Sequence, residues 1–463
     1  MEKDMSIYRI VTASVVLASA STAVAQSVPT LNPVYNPDNT YTWYVGGSTV
    51  HPNIQAVLDV AAPGDEIVIT SGLYVESLSV NTPDLTIRPR VQNVSVGGTT
   101  TVQYDAVTLW NPTEGIDDGK DYAIKLGSNT NNTYIGRPRQ FTELASGATV
   151  ETKILPGEYN WEGTPGTEES LSGISTVTGG TGKVLDFWSR SQDDVAVWSD
   201  GGQATLMSCS FKGQNGFGGA ILCTAPTAGG SNTTSFVDCD IKGLNAPGIP
   251  MSGYPVTAIT LSGTGMNVYF SKCTIEDCTS GALGAIYQNG GTSFWADCDF
   301  KLNKCYAGNG TFNAVGANPM FANCDFDGNQ SRFGTVYLDS TGMGLNKITS
   351  FYNCSFKTNL TQDTVTGGAF KAVDTSATTT PGSPLVSFDA CTILNNNTAG
   401  TNEMSTYDIE TPYFPQYRIG VDLNSSSTTP PTGPVGIPGD LNDDGIVNGA
   451  DMGILLGNWG LGG

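Results

Sequence analysis

The sequence is short of charge, and shorter still of positive charge. Only 14% of its 463 residues are Asp, Glu, Lys or Arg, and 21 basic side chains face 43 acidic ones, a formal net charge of −22. A surface of that sign repels phosphate, which argues against nucleic acid or anionic membrane as partners and leaves cations and neutral sugars. Histidine occurs once, at His51, and no Cys-x-x-Cys pair occurs, so the usual zinc donors are missing. His51 precedes a short helical pattern and reads as an edge residue rather than a site. Beyond residue 25 no apolar run is long enough to cross a bilayer. Glycine, threonine, serine and asparagine abound instead, the composition of a turn-rich β protein rather than a helical cytosolic enzyme.

Against that background one short pattern returns. FYNCSFKTN, centred on Cys354, has relatives LMSCSFKGQ, FVDCDIKGL, FSKCTIEDC, WADCDFKLN, FANCDFDGN and FDACTILNN, centred on Cys209, Cys239, Cys273, Cys298, Cys324 and Cys391. Three positions before the cysteines stand Leu206, Phe236, Phe270, Trp295, Phe321, Phe351 and Phe388. Two positions after them stand Phe211, Ile241, Ile275, Phe300, Phe326, Phe356 and Ile393. Cysteine and the residue two beyond it therefore face inward on one strand. The odd spacing back to the aromatic requires a bend or bulge between them. Five positions after the cysteine, Asn303, Asn329, Asn359 and Asn396 recur, which predicts a hydrogen-bonded ladder between coils. GGAI (218–221), GAIY (284–287) and GGAF (367–370) mark a further strand after a glycine corner. Cysteine spacings of 25 to 37 residues fit a coil of three short strands with variable loops. Stacked coils place like residues above one another, about 4.8 Å apart.

The N-terminal part has its own grammar. Lys3 and Arg9, an apolar stretch over 10–22 and Ala23-Val24-Ala25 predict a secretory signal peptide over 1–25, with the mature chain starting near Gln26. In HPNIQAVLDVAAPGDEIVITSGLYVESLSV, residues Ile54, Val57, Leu58 and Ala61 make one helical face, ended by Pro63-Gly64, before two alternating strands around Gly72. A capping helix, PGD, a strand, G-x-Y and another strand, followed by the cysteine repeat, resemble the pectin-lyase-like superfamily. The resemblance implies an all-β fold, a right-handed parallel β-helix solenoid with an N-terminal capping helix, over residues 26–420. Within it, 110–185 is poorly periodic and reads as an insertion or as irregular coils. The repeats also resemble those of chlamydial polymorphic outer-membrane adhesins.

The column cysteines read as buried small side chains, but three lie outside the column: Cys223, Cys278 and Cys305. Cys278 follows Cys273 by five residues and Cys305 follows Cys298 by seven, on the next coil. That spacing predicts a Cys278–Cys305 disulfide, the alternative being two thiols at a corner. After a linker over 421–438 comes a distinct segment, 439–463, with GDLNDDGIVNGADMGILLGNWG. Asp440, Asn442, Asp444, the Ile446 carbonyl, Asn448 and Asp451 fall at loop positions 1, 3, 5, 7, 9 and 12, with Gly445 at the sharp turn. That spacing wraps oxygens around a calcium ion, the expected cofactor. The segment resembles one half of a type I dockerin, which implies a cohesin-like or cell-surface partner. With a single copy, and Gly449-Ala450 where recognition side chains would sit, docking on the solenoid, pairing with another copy and sorting are equally open uses.

Proteins of the superfamily include lyases, hydrolases, esterases, epimerases and non-catalytic adhesins, so fold alone names no chemistry. Between residues 186 and 400 the only arginines are Arg190 and Arg332, and no pectate-lyase signature occurs. Lys212, Lys242, Lys301 and Lys357 share one outward column and read as solvated surface. Asp238, Asp240, Asp297, Asp299 and Asp325 flank the cysteines on outward positions. Residues two apart on a strand lie about 6.6 Å apart and neighbouring coils about 4.8 Å, so glycosidase carboxyl spacings are accessible. Asp299 and Asp325, with Asp297 behind them, are the catalytic candidates; the competing readings are a bridged calcium ion and a plain acidic face. The expectation is a secreted or cell-surface β-helix that acts on or binds extracellular polysaccharide. The alternative is a non-catalytic adhesin-type or matrix solenoid.

Overall fold

The computed structural model describes residues 39–46, 53–110, 121–136, 183–213, 218–246, 257–339, 349–361, 369–373 and 386–398 apart from short gaps, with isolated strand pieces elsewhere. The chain is a right-handed parallel β-helix. Its strands fall into four parallel sheets rather than the three the spacing suggested. One coil shows the order: Thr292–Ala296 in sheet one, Asp299–Lys301 in sheet two, Lys304–Cys305 in sheet three and Gly310–Val315 in sheet four. Sheet three is the addition. Its strands are two residues long and begin at Asn245–Ala246.

The inward columns hold the fold together. Phe236, Phe270, Trp295, Phe321, Phe351 and Phe388 are in direct register along sheet one, and Ile275, Phe300, Phe326 and Phe356 along sheet two. Their rings stack face to face, Phe270 on Trp295 at 3.9 Å and Phe300 on Phe326 at 4.5 Å between centroids. A straight solenoid with one-rung spacing forces this stacking, and full burial gives each ring roughly 1.5–3 kcal/mol of hydrophobic stabilisation.

The expected bend between aromatic and cysteine is a single left-handed residue. Ser208, Asp238, Lys272, Asp297, Asn323, Asn353 and Ala390, each just before its cysteine, have φ between 49° and 54°. Asn and Asp tolerate that conformation best, because their short polar side chains bond locally. Each cysteine then secures the corner. Cys239 donates its thiol proton to the Val237 carbonyl at 3.3 Å and faces the Leu206 carbonyl of the coil below at 3.6 Å. Cys324 does the same with Ala322 and Trp295, at 3.3 and 3.4 Å. Burial is the main influence raising the Cys239, Cys298 and Cys354 thiols, which keeps these donors protonated.

A second left-handed residue, at Asp277, Leu302, Gly328 and Thr358, turns the chain into sheet three. The asparagines follow it and form the expected ladder. Asn303 accepts from the Cys278 amide, and Asn329 and Asn359 accept in turn from the amides of Asn303 and Asn329 at 3.0 to 3.1 Å. Cys278 therefore occupies the asparagine column. Cys305 stands two places further along, opposite Ser280. The disulfide expectation is corrected: the two lie in different columns and both are buried thiols. The equal-looking loop positions were offset by two residues, which turns the side chains to different parts of the corner.

At the N-terminal end, helix Ile54–Leu58 caps the solenoid, burying Ile54, Val57 and Leu58. Asn53 accepts from the Ala56 amide, and the distant Glu76 carboxylate accepts from the Ile54 and Gln55 amides. Asp65 of the PGD sequence is 1% exposed and ties this end together, accepting from the amides of Tyr41 and Ala62 and from the Trp43 indole.

Two excursions leave from the corner between sheets one and two. One is the antiparallel hairpin Val91–Val96 with Thr99–Tyr104. The other lies between Tyr134–Gly136 and Leu185–Ser189 and contains the hairpin Gln140–Glu143 with Thr149–Thr152. Strands Tyr122–Leu126 and Tyr134–Gly136 are regular rungs of sheets four and one, so part of 110–185 belongs to the solenoid proper. Among the described residues no helix is long and apolar enough to cross a membrane. The expected signal peptide over 1–25, His51, Arg190 and the expected calcium loop of 439–463 lie outside the described residues.

Candidate functional site

Sheet two presents two outward columns. In the first, Asp186, Ser210, Asp240, Thr274, Asp299, Asp325, Ser355 and Thr392 follow one another in register. In the second, two residues along each strand, come Trp110, Trp188 and Lys212, and further on Lys242, Glu276, Lys301, Asp327 and Lys357. The lysine column of the sequence is thus interrupted by acids, so over those five rungs charge alternates from coil to coil. Opposite charges directly across a ladder attract and like ones repel, which favours this order on any exposed sheet.

The structure brings Asp299 and Asp325 together as direct neighbours on consecutive rungs, both half-buried. Asp299 accepts from the Lys301 ammonium at 2.8 Å on the same strand. That hydrogen bond raises the lysine pKa and outweighs the small loss of solvation, which lowers it. Asp297 is not part of the pair. It is the left-handed corner residue, and its carboxylate accepts from the Asn323 amide group, which Asn353 extends on the next coil. The pair could accept hydroxyl protons from a ligand laid across two rungs. Two carboxylates fall well short of the six or more oxygens that calcium takes, and no group of three or more His, Cys, Asp or Glu gathers among the described residues.

A cluster that the sequence did not reveal sits lower on the same face. Lys183, only 10% exposed in its side chain, reaches Asp238 at 2.7 Å and Asp240 at 3.5 Å. Burial pulls its pKa down, but the Asp238 hydrogen bond and the two carboxylate charges outweigh that, and the net shift is upward. Ser210 donates to Asp186 at 2.6 Å, and the Trp110 and Trp188 rings meet edge to face at 6.1 Å. Lys183 precedes its strand at the end of a 46-residue-long separation from the previous regular rung (136 to 183, counted exclusively), so no local pattern linked it to Asp238.

No protein-family profile matches the sequence, and no curated protein does. Among solved structures, an alginate lyase from Paenibacillus sp. str. FPU-7 is similar at 10% identity over 80% of this chain and 96% of that one, with a TM-score of 0.35. A polygalacturonase from Erwinia carotovora ssp. carotovora is similar at 15% identity over 82% and 95%, TM-score 0.29. A pectin methylesterase from Aspergillus niger is similar at 13% identity over 89% and 90%, TM-score 0.29. At scores this low the likenesses carry no weight for the chemistry of this chain, and the fold rests on its own strand register.

Proposed function

We propose that this is a secreted β-helix protein that binds extracellular polysaccharide along its outer sheet faces, with a calcium-loaded C-terminal segment for docking or sorting. The observation that carries the reading is the first outward column of sheet two. It is an unbroken row of carboxylates and hydroxyls repeating once per rung, from Asp186 to Thr392, with Trp110 and Trp188 beside its lower end. A linear, hydroxyl-rich polymer offers donors at regular intervals and apolar ring faces for indoles, which is the complement of such a row. The dockerin-like spacing at Asp440, Asn442, Asp444, Ile446, Asn448 and Asp451 supports an extracellular, calcium-replete setting.

Catalysis would fall to Asp299 and Asp325, one in the role of acid toward a leaving oxygen and the other acting on the sugar or on water. The alternation Lys242, Glu276, Lys301, Asp327, Lys357 favours the second reading, a non-catalytic surface or matrix solenoid, because charges so balanced stabilise the sheet itself. A polysaccharide array combined with a product screen on the purified mature chain tests both. Binding with released fragments supports an enzyme, binding without fragments supports the solenoid reading, and no binding to any polysaccharide overturns the proposal.

A further inference from the structure

Sheet one turns an uncharged patch outward on its upper coils. Tyr269, Phe294 and Met320 follow one another in register, and two residues along the strands so do Ala296, Ala322 and Tyr352. Their strand neighbours Phe270, Trp295 and Phe321 belong to the core, so both columns point out. Tyr352 is 55% exposed, and the other five are half-buried. The Tyr269 and Phe294 rings stack at 4.9 Å with 10° between their planes. Rings stacked along the solenoid stand on edge to its surface, so a pyranose finds rims where it needs a ring face. Beside that aromatic ridge the alanines leave a trough, about 6.6 Å further along the strands. Exposed Asp297, Asn323 and Asn353 border it at the corner. An apolar ridge and trough with a polar rim suit the apolar side chains of a protein segment rather than a sugar.

We propose that the C-terminal segment of the same chain docks on this patch through Met452, Leu455, Leu456 and Trp459. The inference rests on the calcium reading of the 440–451 loop and deepens it by naming the docking surface. These four residues stand at i, i+3, i+4 and i+7, the spacing of one helical face, directly after the loop. The 25 residues of 439–463 bury too little surface to cover that stripe themselves. At 1.5 Å per residue the stripe is about 10 Å long, and Tyr269 to Met320 spans about 10 Å over two rungs. The reach fits as well. The last strand of sheet two, Asp422–Leu423, lies three rungs above the Met320 coil and five above that of Tyr269. Those steps amount to about 14 to 24 Å. The linker over 424–438 extends up to about 50 Å. Calcium closes the loop, the closed loop orders the stripe, and docking of the stripe tightens calcium in return.

Calorimetric calcium titration of the purified mature chain tests the docking, with Phe294→Glu, Ala322→Glu, Trp459→Ala and the double variant Phe294→Glu/Trp459→Ala. Each single variant should weaken calcium binding about tenfold, because each removes an apolar contact coupled to the loop. The double variant should be no weaker than the worse single one, since both changes break the same contact. Two positions on the solenoid guard against a local misfold at either, and circular dichroism should show both variants folded. Sedimentation should show a monomer in calcium. Wild-type calcium affinity in both Phe294→Glu and Ala322→Glu overturns the docking and leaves the calcium loop standing. A calcium-dependent dimer that these variants abolish assigns the patch to a second copy. Loss of polysaccharide binding in them, at unchanged calcium affinity, assigns it to a sugar. Either result overturns docking within the chain. Absence of calcium binding in the wild-type chain removes loop and docking together.

Discussion

Replacing Asn329 by leucine separates a ladder that stabilises the solenoid from a row of asparagines that merely fits the corner. Asn329 is fully buried. Its side-chain oxygen accepts from the Asn303 backbone amide and side chain, each at 3.1 Å. Its side-chain nitrogen donates to the Phe300 carbonyl at 2.8 Å and to Asn359 at 3.0 Å. Leucine has similar bulk but neither function. The Asn303 amide and the Phe300 carbonyl would each lose a partner at a site closed to water. An unsatisfied buried group costs about 1–3 kcal/mol, so two cost about 2–6 kcal/mol, less whatever the leucine gains by burial. In a solenoid, stability is close to a sum of nearest-neighbour terms, and both interfaces of this coil are hit. Denaturant unfolding gives the total, and hydrogen exchange at the Asn303 amide gives the local part. A variant with wild-type unfolding and a still-protected Asn303 amide would show that the ladder is ornamental.

Cys278 occupies the same column and replaces the asparagine donor with thiol contacts to Ile241 and Glu276 carbonyls at 3.5 Å; burial pushes its thiol up to about 12. Cys278→Asn should extend the ladder downward and stabilise by about 0.5–1.5 kcal/mol, and a lower Tm would contradict that placement. Cys324→Ser should cost less than about 1 kcal/mol, because the hydroxyl inherits the Ala322 and Trp295 carbonyls, whereas Cys324→Leu should cost about 1–3 kcal/mol by overfilling the corner. The reverse order in unfolding curves would refute the donor role. Asp299→Asn should abolish turnover of any polysaccharide found to be cleaved and leave the fold intact; full turnover in that variant removes the pair from the chemistry. Calcium titration of the full chain should show a site that Asp440→Ala weakens, and identical isotherms would exclude the tail loop.

What was legible in the sequence follows the period of the repeat. Residues that recur at a fixed offset from the cysteine, such as Phe321, Phe326 and Asn329, announced their place because each is in register with its copy one rung away. The corner before the cysteine was legible as an anomaly in spacing, and the structure supplies its content in the left-handed Asn323 and its equivalents. Cys278 and Cys305 misled because cysteine serves here in several columns, so identity of residue type did not imply identity of place. Counting from the column cysteine would have separated them: five residues on is the asparagine position, seven is that of Ser280 and Ser331.

The outward residues obey a weaker rule, and that limits any site read from them. Inward positions must match the rung above and below, since a misfit there opens a cavity or a clash. Outward positions carry no such packing constraint, so the column that sets Asp299 beside Asp325 also admits Thr274 and Ser355. A repeat therefore predicts that the two aspartates are neighbours without saying what they do. The informative departure is the opposite kind, an outward position that behaves as if it were inward. The outward column of sheet four behaves this way at several rungs: Leu222, Thr260, Asn313 and Tyr337 are buried while Tyr287 and Lys371 are half-exposed, and the Asn313 amide oxygen has no hydrogen-bond partner among the described residues. Regular stacking accounts for the inward Phe312 and Ala314 of that strand but not for the unmatched amide oxygen of Asn313.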